Sequence, residues 1–202
     1  GAAAVLAQQP QAELTGSIEA DHALQALRPV KPCLQGQRWS WDGVAFEVLH
    51  PQDGDAAQAR RPNALSCVLR VTAAGQGARP DPPVALLVGD IEAPQEQALL
   101  ARGAPVRADV LLVPHHGSKT SSTAAFLEAV QPRTALVQAG YRNRFGHPAP
   151  DVFERYRARG IRVVESARCG AATWSSARPD EVGCERDGAR HYWQHDMAPR
   201  PG

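Results

Sequence analysis

Four short apolar runs alternate with three helical stretches between residues 84 and 164, and this alternation constrains the fold more than any other feature. The runs are Val84-Ala85-Leu86-Leu87-Val88, Val110-Leu111-Leu112-Val113, Thr134-Ala135-Leu136-Val137-Gln138-Ala139 and Ile161-Arg162-Val163-Val164. Runs of this length without polar alternation suit strands buried on both faces. Residues 92–102, a stretch capped from Ser121 or Ser122 that includes 124–130, and residues 151–159 read as the intervening helices. Gly103 and Gly160 follow the first and last of these, where a left-handed residue ends a helix. Strand–helix–strand alternation predicts an α/β domain with parallel strands. The preceding part is strand-rich with long loops, so the whole is not a simple doubly wound sheet.

Upstream, residues 2–8 and 19–27 read as short helices, and 44–49 and 66–71 as strands. Pro51 ends the first strand, 53–62 forms a polar loop, and 74–83 is a Gly/Pro-rich loop. Residues 171–175 form a further short strand. The stretch 179–202 mixes charge, Gly and Pro and reads as a C-terminal tail, its last residues mobile.

The chain's 202 residues suffice for one domain with a substantial core. The net charge of +1 argues against a protein that coats nucleic acid, but leaves room for a local basic patch. No apolar stretch approaches the roughly 20 residues that span a bilayer, and the chain shows no lipid anchor. It starts at Gly1 rather than Met, with no signal-like segment, and reads as a piece of something longer. Of the four cysteines, none forms a C-x-x-C pair, which disfavours a structural zinc knuckle. Cys67 lies in a strand pattern and reads as a small buried hydrophobe. Cys169 and Cys184 flank a hairpin-like segment. They either pair, in an oxidising compartment, or remain as two thiols.

The candidate chemistry lies at strand exits, where functional sites of α/β folds cluster. Asp90 follows the 84–88 run through Gly89. A carboxylate there can ligate a metal or work as an acid–base group, or equally cap the next helix. His115 and His116 follow the next run inside Pro114-His115-His116-Gly117-Ser118-Lys119-Thr120-Ser121-Ser122. One imidazole could bind a metal while the other moves a proton, although a bare pair is more often one packed and one exposed histidine. This turn also supplies hydroxyls, a lysine and free backbone N–H groups, which suit an anion such as phosphate. His147 follows the third run, beside Arg142 and Arg144, which could meet phosphates or simply be solvated. Parallel strands bring these exits to one sheet edge, where Asp90, His115, His116 and His147 would form one side of a metal centre. His22 and His50 lack partners, and His191 and His195 lie in the tail.

Several segments together resemble the metallo-β-lactamase superfamily and, within it, the C-terminal domain of the ComEC family of DNA-internalisation competence proteins. They are Asn63-Ala64-Leu65-Ser66-Cys67-Val68-Leu69, Leu86-Leu87-Val88-Gly89-Asp90, the block from Asp109 to Ser122, and Gly140 with Asn143-Arg144-Phe145-Gly146-His147-Pro148. Cys184-Glu185-Arg186 and Arg190-His191-Tyr192-Trp193 are similar to the tail of proteobacterial members. The resemblance implies a metallo-β-lactamase-like αββα sandwich over residues 1–178, incomplete at its N-terminal side. The family's H-x-[HD]-x-D-H motif is absent, and residues 1–6 are similar to the helix that directly follows it.

Carried over, the resemblance makes Asp90 a metal-bridging carboxylate, His116 a ligand, and His147 a further ligand or a substrate-facing group. His115 becomes a proton-transfer group, and Ser118, Lys119 and Thr120 meet phosphate. A two-ion zinc or manganese site is expected only in the full-length domain. The implied function is a metal-dependent phosphodiesterase of a DNA-uptake protein, inactive as this chain stands. The implied partners are DNA and an upstream transmembrane channel domain of the same polypeptide. The implied location is the outer, periplasmic side of the inner membrane. The alternatives are a DNA-guiding module that does not cleave, or another hydrolase of the same fold.

Overall fold

A computed structural model of the protein describes residues 2–59, 61–73 and 81–188. Its centre is a seven-stranded mixed sheet of β3 (Arg38–Trp41), β4 (Val44–His50), β5 (Val68–Thr72), β6 (Val84–Leu87), β7 (Val110–Leu112), β8 (Thr134–Val137) and β9 (Arg162–Glu165). The strands stand in chain order across the sheet. β3 to β6 pair antiparallel, and β6 to β9 pair parallel. The alternation of apolar runs and helices thus gives the parallel half, and the strand-rich region before it gives the antiparallel half.

The crossovers of the parallel half are α4 (Ala93–Ala101), α5 (Ala124–Val130) and α6 (Pro150–Arg157). Leu86, Leu111 and Ala135 are adjacent in register on β6, β7 and β8, and all three are fully buried. They join one core with Leu99 of α4, Phe126, Leu127 and Val130 of α5, and Val152 and Tyr156 of α6. Full burial of each large apolar side chain stabilises the fold by about 1.5–3 kcal/mol. This core fixes where the strands end, and so where the loops after β6, β7 and β8 stand.

α1 (Ala2–Gln8) matches its sequence reading, whereas α2 (Ala23–Leu27) is shorter than expected. The polar loop expected at 53–62 instead contains α3 (Asp55–Gln58), because Asp55 accepts the Gln52 N–H and Gly54, at φ +89°, turns the chain into a helical turn. The sequence reading also lacked four strands. β1 (Leu14–Gly16) and β2 (Val30–Pro32) form a small parallel pair, and β3 forms the sheet edge. β11 (Arg178–Cys184) pairs antiparallel with β10 (Ala172–Ser175), carrying ordered pairing past residue 178. All four are short or rich in polar and proline residues, and cross-strand partners, not local propensity, make them strands. α7 (Ser166–Cys169) and α8 (Glu185–Gly188) flank this hairpin. His191, His195 and the rest of the tail from 189 lie outside the described residues.

Two disulfides close the chain. Cys169 and Cys184 pair across the ends of the hairpin. Cys67 is not the unpaired apolar residue expected from its surroundings. It pairs with Cys33, because the turn after β2 and the start of β5 approach to a Cα–Cα distance of 6.1 Å. Among the described residues, no helix is long and apolar enough to cross a membrane.

Candidate functional site

The loops after β6, β7 and β8 lie along one edge of the sheet and bring Asp90, His115, His116 and His147 together. The ring centroids of His115 and His116 are 6.4 Å apart, and those of His115 and His147 are 6.0 Å apart. His116 Nε2 lies 3.4 Å from Asp90 Oδ1.

Asp90 is available because it does not cap α4. That position belongs to Glu92, whose N–H donates to Gln95 Oε1. Asp90's own N–H donates to Ser66 Oγ, and Gly89 leaves room for this contact. With φ +55°, a Cβ on Gly89 would stand 3.0 Å from that of Ser66.

The histidine turn departs sharply from β7. His115 and His116 both occupy the left-handed region, at φ 46° and 56°, which non-glycine residues rarely adopt. The His115 N–H donates to Gly89 O, locking this turn to the Asp90 loop. The two rings then have different partners. His116 Nδ1 lies 2.7 Å from the Gln138 carbonyl, which can only accept, so Nδ1 carries the proton and Nε2 presents its lone pair towards Asp90. His116 Nε2 and Asp90 Oδ1, 3.4 Å apart, are two acceptors placed so that one cation between them would suit both. A backbone carbonyl holding the far nitrogen is the usual support of a ligating histidine. His115 instead faces Glu92, with Nδ1 3.2 Å from Oε1, while Nε2 faces Asn63 Nδ2 at 3.4 Å. A carboxylate holding an imidazole in this way suits proton transfer.

His147 is fixed through its backbone. Its N–H donates to Asn143 Oδ1 at 2.9 Å, and Asn143 Nδ2 donates to the carbonyls of His147 and Gly140. The next peptide, to Pro148, is cis. Burial holds the His147 imidazole below its ordinary pKa, reinforced by the charges of His115 and His116 and opposed by Asp90. This environment favours the neutral form of the ring. Its Nδ1 is buried without a hydrogen-bond partner, an unused donor or acceptor beside the other two rings.

The anion-binding turn expected from the sequence is largely filled by the protein itself. Glu96 is fully buried in α4, and its carboxylate accepts the Ser122 N–H at 2.6 Å and the Thr123 N–H at 2.8 Å. The N-cap of α5 is Thr123, which accepts the Phe126 N–H, rather than Ser121 or Ser122. The Ser121 hydroxyl donates to Pro114 O, and the Ser122 hydroxyl meets Tyr156 Oη. Ser118 is buried and spans 3.1 Å to Thr120 Oγ1, which in turn lies 3.4 Å from His115 Nδ1. Lys119 and Thr120 are exposed at the turn. Arg142 and Arg144 are exposed on the His147 loop, over the rings of Tyr141 and Phe145.

The donor set does not complete a metal site. Among the described residues, no group of three or more His, Cys, Asp or Glu side chains is placed to hold a metal ion. His116 Nε2, the Asp90 carboxylate and the unused His147 nitrogen have the right chemistry, but they amount to part of a coordination shell. Sequence reasoning missed Glu92 and Glu96, which read as ordinary polar helix positions. It noted Asn63 and Asn143 only as parts of matching segments.

No protein-family model matches the chain. Over 160 residues it is 38% identical to competence protein ComA of Neisseria gonorrhoeae, an alignment covering 78% of this chain and 22% of that protein. It is 33% identical over 167 residues to the protein YcaI of Escherichia coli K12, covering 82% of this chain and 21% of YcaI. It is 35% identical over 127 residues to ComE operon protein 3 of Bacillus subtilis 168, covering 63% of this chain and 15% of the relative. The chain spans about a fifth of the length of the curated relatives it matches.

Proposed function

We propose that the chain is part of a ComEC-like DNA-uptake protein, and that its sheet edge is the phosphodiester-facing side of a metallo-β-lactamase-like domain. The observation that carries this reading is the meeting of Asp90, His115, His116 and His147 at one edge, in a chain similar to competence proteins. Asp90 and His116 share a cation. His115, held by Glu92, moves a proton. Lys119, Thr120, Arg142 and Arg144 meet phosphates. Ser118 shapes the turn that carries Lys119 and Thr120, a smaller role than direct phosphate contact.

A divalent metal ion, zinc or manganese, would supply Lewis acidity to such a site. The donors described do not complete its shell. In a longer parent polypeptide, an H-x-[HD]-x-D-H motif would supply the remaining ligands, and transmembrane segments would supply the channel. Two disulfides support placing the domain on the oxidising, outer side of the inner membrane. A second reading of the same edge is a module that guides DNA without cutting it.

Nuclease assays with manganese or zinc separate the two. The 202-residue chain is expected to bind metal weakly and hydrolyse little DNA, and a version extended upstream through the motif is expected to cleave. Equal activity of both would sink the proposal of a divided site. An extended protein that binds DNA without cleaving it would establish the guiding module.

A further inference from the structure

The loop between β8 and α6 carries a feature that phosphate contacts leave unexplained. Its sequence, Tyr141-Arg142-Asn143-Arg144-Phe145, interleaves aromatic and basic side chains. Both aromatics are solvent-facing, Tyr141 at 44% exposure and Phe145 at 67%. Exposing a Phe to this degree forgoes burial that would otherwise favour folding. The Phe145 ring lies nearly parallel to that of His147, with centroids 5.7 Å apart and 17° between planes. The guanidinium of Arg144 sits 4.8 Å from the Phe145 centroid, and that of Arg142 sits 5.2 Å from the Tyr141 centroid. Asn143 ties the loop backbone to Gly140 and His147, which fixes the segment that carries these rings.

We infer that this loop is a stacking platform for the bases of a single nucleic-acid strand, set so that the backbone beside a stacked base meets the His115–His116–His147 edge. The inference rests on the DNA-uptake reading above and adds the form of DNA recognised. Flat rings next to arginines suit a strand whose bases are splayed out, because every base has a face to stack while the arginines hold the phosphates. A duplex keeps its bases inside, and the stacking faces of this loop would gain nothing from it. A lipid surface would favour a continuous apolar face. Here Arg142, Asn143 and Arg144 separate the two aromatics, and Phe145 leans on a histidine of the site.

The test is fluorescence anisotropy with the full 202-residue chain, in chelator to prevent cleavage. The probes are an oligothymidylate, an abasic oligomer of the same length and a hairpin duplex. The wild type is expected to prefer oligothymidylate to both others. Phe145→Ala is expected to weaken oligothymidylate binding roughly tenfold, leave abasic binding unchanged, and leave the thermal melt unchanged because the side chain is exposed. Phe145→Trp is expected to retain affinity. Arg142→Ala is expected to weaken all probes alike and lower the salt dependence by about one phosphate contact. If the abasic oligomer binds as well as oligothymidylate, or Phe145→Ala binds like wild type, the platform is refuted while the DNA reading stands. If the folded chain binds no probe, both fail. Phe145-dependent binding to phosphatidylglycerol vesicles without DNA binding would overturn the platform in favour of membrane contact.

Discussion

Nothing in the sequence marks Glu96, yet it decides how the histidine turn is held. It stands on α4, is fully buried, and receives the backbone N–H groups of Ser122 and Thr123 across the core. Burial raises its pKa above the ordinary value near 4.5, opposed by those hydrogen bonds and by Arg155. Glu96→Ala leaves both N–H groups without a partner and is expected to cost about 2–4 kcal/mol, read by urea denaturation. The pH dependence follows from the raised value. Between the ordinary pKa and the folded one, the native state binds more protons than the unfolded state, so this contribution is fully present at low pH and is lost as pH rises through the folded pKa. Glu96→Gln carries no such slope and should gain on the wild type as pH rises from about 4.5 towards neutrality. A constant difference across that range would contradict the raised pKa. His116 shows the opposite case. Its place beside a carboxylate was legible, because residue type and strand exit together pointed there, whereas the tautomer came from Gln138 in another strand's loop.

At the scale of elements, the site is a contact between two loops as much as a set of side chains. Gly117 sits at φ +83°, and a Cβ there would fall 2.6 Å from Pro148 Cβ and 2.9 Å from its Cα. Its carbonyl accepts the Ala149 N–H, so the turn after β7 and the loop after β8 are joined at that point. Gly117→Ala is expected to cost roughly 1–3 kcal/mol through strain and overpacking and to shift the His147 imidazole resonances in NMR. An unchanged melt with unmoved His147 signals would show that the approach is looser than described. Much at this scale was readable in advance. The four apolar runs became β6 to β9, and the helices between them formed close to their expected bounds. The caps were not, since Glu92 and Thr123 took positions for which Asp90, Ser121 and Ser122 were equally good local candidates. Propensity ranks cap residues, but packing chooses among neighbours of similar rank.

For the whole molecule, the two disulfides hold the parts that the central core does not. Cys33–Cys67 ties the β1–β2 region to β5, and Cys169–Cys184 closes the terminal hairpin. The loops they close span 34 and 15 residues. The chain-entropy account gives about 3 kcal/mol for the shorter loop and somewhat more for the longer. Reduction is therefore expected to lower stability in urea by several kcal/mol, checked by melts with and without reductant. Four thiols reactive in the unreduced protein would contradict both bridges.

The sequence by itself determined the parallel half of the sheet, its crossover helices, and the edge to which Asp90, His115, His116 and His147 come. These follow from apolar periodicity and from the rule that parallel strands end together, both of them local or topological. Tertiary structure alone decided the edge strand β3 of the antiparallel half, the small β1–β2 pair, the Cys33–Cys67 pairing, the filling of the α5 N-terminus by Glu96, and the division of the two adjacent histidines between Glu92 and Asp90. Each of these joins residues distant in sequence, and their meeting depends on how the sheet and helices pack rather than on any pattern a short window of residues contains.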